Sequence, residues 1–472
     1  MIDLSSIKKY RENNRIEAKK ALGGLPKSIW ETYSAFANTI GGYILLGVEE
    51  YKDKSLHTVD LPEPERLINE FWDIINNKAK VSVNILSYKD VSVEVVDGKH
   101  IIVIYVPRAK RYEKPVYIDG NPMTGSYRRN GEGDYRCTIE DVQAMMRDAA
   151  VKTQDMHILD NMDLSIFDYD TVNRYRIRIK NSHPGDALEK LEDAELLYSI
   201  GAAGRSKDGK LHPTVAGLLM FGHEREIIKE CPGYFLDYQE RLDDNTLCKD
   251  RIVSSSGEWS GNVYDFYLGV SSNLVHDVKA LQDIEGGGSV HTALSEALAN
   301  CLVNADYYSR CGIIIIKEKD RITITNPGGF RINIQDAISG GSSDPRNAAL
   351  KKMFNLVNIG KCTGSGIPDI YDVWEKQGWS IPEIIEEFQP ERITLSLGIK
   401  RGGSIKEELK TAACKEAIIA YLTDNVSVTS TLLEEFLGIN ASRIREVLSE
   451  MTEEGIIVSE DINKSRVYRL KS

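Results

Sequence analysis

The chain has 472 residues, 42% hydrophobic and 28% charged, with a formal net charge of −12. That length exceeds one ordinary domain and points to roughly two to four. The acid excess excludes a protein whose whole surface binds nucleic acid, but leaves room for a local basic groove. No apolar run is long enough to cross a bilayer, and the first residues lack the apolar core of a signal peptide. Seven dispersed cysteines without a CxxC pair read as reduced thiols in a cytoplasm. Eight histidines form no HExxH and no Cys/His cluster, which argues against structural zinc.

In chain order, residues 1–150 read as an α+β unit. Ile29, Tyr33, Phe36 and Ile40 recur at helical spacing, with Pro26 and Ser28 at the start and Gly41-Gly42 at the end. Tyr43–Val48, Val81–Ile85, Val91–Val95 and Ile101–Val106 read as strands. Thr138 with Asp141 predicts a capping box for a helix running through Ala150.

Residues 151–285 form a connecting α/β segment whose landmark is the apolar stretch Pro213–Gly222. The Gly286-Gly-Gly-Ser289 run separates it from a third unit, 286–400. There a helix spans Val290–Ala305, strands span Gly312–Lys317 and Arg321–Thr325, and helices between Arg346 and Lys376 are interrupted by Gly364-Ser-Gly366. Leu397–Ser404 is a linker candidate. In the tail, 405–472, three helical patterns precede strands Ile456–Val458 and Val467–Leu470, a winged helix-turn-helix pattern. In its third helix Ile444, Val447, Leu448 and Met451 share one face, with Arg443 and Arg445 on the other.

Glu12, Glu17, Lys19 and Glu50 are the candidate chemistry of the first unit. In a strand, Glu17 and Lys19 point to the same face. Clustered carboxylates repel unless a cation or a lysine neutralises them, and Mg²⁺ prefers oxygen ligands. The bland alternative is a solvated face. Arg108, Lys110, Arg111, Lys114, Arg128, Arg129 and Arg136 crowd one segment with Tyr112, Tyr117 and Tyr127 interleaved. Basic groups neutralise phosphates and aromatic rings stack on unpaired bases. Glu113, Asp119, Glu132 and Asp134 dilute the patch, so an ordinary charged loop is the rival reading.

Glu12…Ile16-Glu17-Ala-Lys19, followed by Ser34-Ala-Phe-Ala-Asn-Thr-Ile-Gly-Gly-Tyr-Ile-Leu-Leu-Gly-Val-Glu-Glu50, resembles the AlbA-type domain of Schlafen proteins over about the first 150 residues. The resemblance implies a metal site at Glu12, Glu17 and Glu50 taking Mg²⁺ or Mn²⁺. The family usually has aspartate at the third place. Further on, Glu296-Ala-Leu-Ala-Asn300, Thr325-Asn-Pro-Gly-Gly-Phe330, Arg346-Asn347 and Gly364-Ser-Gly-Ile367 resemble, in that order, a divergent GHKL-type ATPase domain.

That second resemblance implies an α/β sandwich that binds ATP. Asn300 would contact Mg²⁺ and phosphates, Glu296 would be general base, and Gly364 and Gly366 would let backbone amides approach phosphates. Asp306, Asn326, Gly328 and Gly329 complete the expected set. The usual His-Arg-Asp-Tyr string is Asn304-Ala-Asp306-Tyr307 here, and the adenine-reading acid has no equivalent at Thr325-Asn326. Binding with weak or absent hydrolysis is therefore expected.

Together these features predict an α+β multidomain protein that acts on RNA or DNA. The leading expectation is a metal-dependent endoribonuclease cutting structured RNA such as tRNA, gated by a nucleotide; the family implies a role in phage defence. The rival is a non-catalytic, ATP-responsive, DNA-binding transcriptional regulator reading its site with Arg443 and Arg445. A scaffold that forms a homo-oligomer through its tail is a third reading.

Overall fold

The computed structural model describes residues 10–241, 250–276, 289–341, 343–360 and 366–399, with residues 4 and 7 and parts of the tail between 415 and 470. The first unit is built on a sheet of β1 (Ile16–Lys19), β2 (Gly42–Leu46), β5 (Val91–Val96) and β6 (Lys99–Val106) in the order β1-β2-β6-β5. β1 runs parallel to β2, and the other pairs are antiparallel. Helices α1 (Ile29–Asn38) and α2 (Pro64–Ile75) cover it, and Ile29, Tyr33, Phe36, Phe71, Ile102 and Ile104 form the core between. β3 (Val48–Glu50) pairs with β4 (Leu56–Thr58). After the short α3 (Pro122–Gly125), β7 (Tyr127–Asn130) pairs with β8 (Gly133–Arg136).

The Ala-Phe-Ala-Asn-Thr-Ile-Gly-Gly string has a mechanical reason. The buried Asn38 amide accepts from Val116 N at 2.8 Å and donates to Val116 O at 2.8 Å and Tyr127 O at 3.0 Å. One side chain thus ties helix, loop and β7 together. Gly41 then turns the chain at φ 74°, and a Cβ there would lie 2.7 Å from Val106 O.

Val81–Ile85 is not a strand. Val81 makes one bridge to Ile118, and the segment is held by the Tyr33 hydroxyl, which donates to Val83 O and accepts from Ile85 N. A side chain replaces the ladder. The expected run Tyr43–Val48 is broken at Gly47, which has φ 82° and separates β2 from β3. The Thr138–Asp141 box does cap α4 (Ile139–Ala149).

Beyond it lie α5 (Tyr169–Ser182), α6 (Asp193–Ile200), β9 (Ala203–Arg205), β10 (Leu211–Pro213), α7 (Val215–Phe221), α8 (Glu224–Glu230), β11 (Leu236–Arg241), β12 (Asp250–Val253) and α9 (Val263–His276). Then come α10 (Val290–Asn304), β13 (Ile313–Glu318), β14 (Arg321–Pro327), α11 (Ile334–Ser339), α12 (Ala348–Leu356), α13 (Gly366–Gln377), β15 (Glu383–Phe388) and β16 (Glu391–Gly398). Strands of both stretches join one six-stranded sheet, β12-β11-β13-β14-β16-β15, in which β11 runs parallel to β13. One hydrophobic core runs from Leu159 to Leu397. Residues 151–285 and 286–400 are therefore one structural unit, not two. The boundary expected near 286 fails because β11 finds its partner on the far side of it.

Leu397 and Gly398 close β16, so the linker expected from Leu397 does not start there; residues 400–404 lie outside the described set. In the tail, β17 (Val428–Thr429), β18 (Ile457–Ile462) and β19 (Ser465–Leu470) form a sheet beside α14 (Ala441–Glu453). Ile444, Val447, Leu448 and Met451 are buried against Ile457.

Asn38→Leu leaves the Val116 amide and the Tyr127 carbonyl without partners inside the first unit, while Val116 O keeps the Ser34 hydroxyl. A cost of about 3 kcal/mol or more is expected, read as a lower urea midpoint for that unit, because each orphaned buried group costs about 1–3 kcal/mol.

Candidate functional site

β1 is an edge strand, and its side chains meet the loop before it, the end of β3 and the β7–β8 hairpin. Glu12 Oε1 accepts from the Ala18 amide at 2.9 Å. Lys19 Nζ donates to Glu17 Oε1 at 2.8 Å and to Ser28 Oγ at 3.1 Å. Arg129 Nη1 lies 2.9 Å from Glu17 Oε2 and 3.0 Å from Asp134 Oδ1. Its other nitrogens donate to the carbonyls of Asn13 and Ile16, and its guanidinium carbon is 5.2 Å from the Phe36 ring centre.

The charges are close but incompletely answered. Burial pushes the Glu12 carboxyl above its ordinary range. The Ala18 amide pulls it down, while Glu17 and Glu50 push it further up. Glu17 Oε2 has its ion pair with Arg129 but no aligned hydrogen bond, and Glu50 Oε1 is buried without any hydrogen-bond partner. Glu50 Oε2 stands 3.3 Å from Lys54. Orphaned carboxylate oxygens beside a third acid are the donor chemistry of a hard divalent cation. Yet among the described residues no three His, Cys, Asp or Glu side chains stand in a metal-holding arrangement. Glu12, Glu17 and Glu50 would hold such an ion by their chemistry, not by an assembled shell.

The basic segment lies largely inside the protein, where the first unit meets the second. Arg108 donates to Glu386 at 2.5 and 2.8 Å and to Phe330 O at 2.6 Å. Arg111 pairs with Asp344 and donates to the carbonyls of Asp148 and Ala150. Arg128, 2% exposed, reaches Glu391 at 3.0 Å, Asp141 at 3.3 Å and Phe388 O at 2.9 Å. Tyr127 is buried and its hydroxyl donates to Glu31. The expectation that these residues and Arg129 face nucleic acid is corrected here: carboxylates and carbonyls of the protein already take their donors. Of the expected basic set, Lys110 and Arg136 are exposed among the described side chains. The side chains of Arg443 and Arg445 lie outside the described residues.

The second unit encloses a cavity of about 140 Å³ between α10, α13 and the sheet. Glu296, Asn300, Asn326, Gly329 and Gly366 line it, with Phe330, Arg331, Asp344, Arg346 and Lys351, which sequence reasoning did not assign to the site. Glu296 and Asn300 sit one turn apart on α10. Gly366 packs so closely on both that a Cβ there would strike Glu296 Oε1 and lie 2.7 Å from Asn300 Nδ2. Mixed apolar walls and convergent polar groups suit a nucleotide. Asp306 is not in the cavity, because Arg147 of α4 pairs with it at 2.9 Å. Gly328, at φ 92°, packs on Arg346 outside the lining, and Gly364 lies outside the described residues.

Comparison with known proteins finds three matched stretches of the chain. Residues 12–138 match the model of the Schlafen AlbA_2 domain. Residues 312–395 match the domain described as "Putative ATP-dependent DNA helicase recG C-terminal", HATPase_c_4. Residues 143–237 match DUF8451, a domain of unknown function. No curated protein matches. Similar solved structures include the DIP2311 protein of Corynebacterium diphtheriae, 15% identical over 97% of this chain and 95% of that one, with a TM-score of 0.42. Another is the N-terminal domain of a "Putative ATP-dependent DNA Helicase RecG-related Protein" of Nitrosomonas europaea, 33% identical over 29% of this chain and 95% of that one, with a TM-score of 0.24. The chain thus carries a Schlafen AlbA_2 domain followed by an ATPase-type domain of the RecG C-terminal kind, a nucleic-acid-related pairing. Among the described residues no helix is long and apolar enough to cross a membrane.

The Lys114 ammonium lies at the meeting of the two units and donates to Asn38 O at 2.8 Å. Burial lowers its pKa to about 7, with Arg108 adding to the effect. Between about pH 7 and pH 10 the unfolded chain holds a proton there that the folded chain lacks, so this group makes stability rise with pH across that window. Lys114→Met is expected to melt a few degrees higher than the parent near pH 7. The advantage should shrink towards pH 10 in paired thermal melts.

Proposed function

We propose that this protein is a metal-dependent endoribonuclease whose AlbA_2 domain cuts RNA at Glu12, Glu17 and Glu50, under control of a nucleotide held in the ATPase-type domain. The observation that carries the reading is the set of unanswered carboxylate oxygens on Glu17 and Glu50 beside Glu12. A divalent ion there would stabilise charge on a phosphodiester and lower the pKa of a bound water. Around it, Lys19 and Arg129 hold the Glu17 carboxylate in place. Lys19, tied to Ser28 as well, is near enough to the acids to face an incoming phosphate. Nucleotide binding falls to the cavity around Asn300 and Gly366, with hydrolysis weak or absent.

A second reading rests on a separate observation. With Arg108, Arg111, Arg128 and Arg129 engaged internally, phosphate contact has to come from other surfaces. The tail, a helix followed by a two-stranded hairpin, is one such element. In that reading the chain is a DNA-binding regulator that responds to ATP.

Purified protein incubated with tRNA and Mn²⁺ separates the two. Cleavage is expected, with Glu17→Gln slower by about 100-fold or more, the scale for losing a group that stabilises charge in the transition state. No cleavage by the parent protein, or equal cleavage by the variant, removes the nuclease reading. A sequence-selective DNA footprint lost on deleting residues after 404 would establish the regulator.

A further inference from the structure

The wall of the nucleotide cavity is also the surface against which the first unit, the AlbA_2 domain with α4, is seated. Phe330, Arg331, Asp344 and Arg346 all line the cavity. Each also bonds across to the first unit. Phe330 is gripped at both ends of its peptide: its N–H donates to Glu386 at 2.7 Å, and its carbonyl accepts from Arg108 at 2.6 Å. Arg108 in turn holds that same Glu386, whose side chain is 2% exposed. Asp344 pairs with Arg111. Arg346 donates to both oxygens of Asp148, at 2.9 and 2.7 Å, and also to Gly329 O and Asn304 O beside the cavity. Arg331, with a side chain 5% exposed, donates to Asp148 O at 3.0 Å, and its Nε has no hydrogen-bond partner.

We propose that Arg108 and Asp148, which lie outside the ATPase-type domain, are positioning residues for its nucleotide cavity, so that occupancy of the cavity and seating of the first unit, the AlbA_2 domain with α4, strengthen each other. The physical basis is that a residue has one conformation at a time. A ligand that fixes Phe330, Arg331 and Arg346 on their inner side also fixes the groups they offer to Arg108 and Asp148 on the outer side. Whatever free energy the seated domain adds to ligand binding, the ligand adds to seating. The charges strengthen the link. Burial works against ionised Asp148, but Arg346, Arg331 and Arg147 outweigh it and hold its carboxyl below the ordinary range. A vacated Arg346 would be a buried, uncompensated cation.

This proposal rests on the nucleotide reading of the cavity, and the test separates the two. Hydrogen exchange of the full chain is followed with and without Mg²⁺-ATP, and nucleotide affinity is measured by titration calorimetry. In the parent protein, ATP should slow exchange in residues 107–114 and 141–150, which line no part of the cavity, and leave residues 64–75 of α2 unchanged. Arg108→Gln should weaken ATP binding about tenfold, within the usual range of coupling between sites, and abolish the slowing in 141–150. Unchanged exchange in 64–75 of the variant shows that its AlbA_2 domain remains folded. Protection confined to cavity residues in the parent overturns the coupling and leaves the nucleotide reading intact. That result decides the matter even if the variant does not fold. Absence of any ATP binding by the parent overturns both.

Discussion

Buried arginine–carboxylate pairing between the AlbA_2 domain and the ATPase-type domain is the constraint on which the rest of the molecule depends. Charged groups lose their water when two domains close over them, and that loss is recovered only if every donor and acceptor finds a partner. Here they nearly all do. Arg108 satisfies Glu386 and a carbonyl; Arg128 satisfies Glu391, Asp141 and another carbonyl. Burial disfavours ionised Glu391, yet Arg128, Lys114 and Arg346 keep its carboxyl below the ordinary range. The two domains are matched through fixed charges, so their relative placement has little latitude.

The acid cluster is attached to this seam by a single peptide unit. Successive strand residues point to opposite faces. On β7, Arg128 therefore turns towards Glu391, while its neighbour Arg129 turns towards Glu17. The seam is well satisfied and the cluster is not. Glu12 is half-buried near two like charges, and Glu50 keeps an oxygen without a donor. Such local conflict lowers stability, and proteins retain it where chemistry needs it.

What could be read from the sequence was what is local. The α1 periodicity, the Thr138–Asp141 box, the β5 and β6 runs and the one-turn spacing of Glu296 and Asn300 depend only on near neighbours. What could not be read was set by distant ones. Arg108 and Glu386 are 278 residues apart, and Arg128 and Glu391 are 263 apart. Nothing near Arg108 reveals that a carboxylate awaits it, so a buried seam looked like an exposed basic patch. Val81–Ile85 has a strand's composition, but Tyr33 supplies its hydrogen bonds. The chain near 286 has a linker's composition, but β11 pairs beyond it. Phe330 and Arg346 stood within the strings that resemble an ATPase domain, but Arg331, Asp344 and Lys351 of the cavity gave no signal, since none belongs to a spaced motif.

The parallel pairing of β11 with β13 limits how this protein can be taken apart. A cut near residue 286 would divide one sheet and leave β13 with an open edge, ready to recruit strands from other molecules. Removing the first 150 residues would leave Glu386 and Glu391 without their guanidinium partners. Trimming beyond β16 avoids both injuries, and the described buried residues of the tail form a cluster of their own.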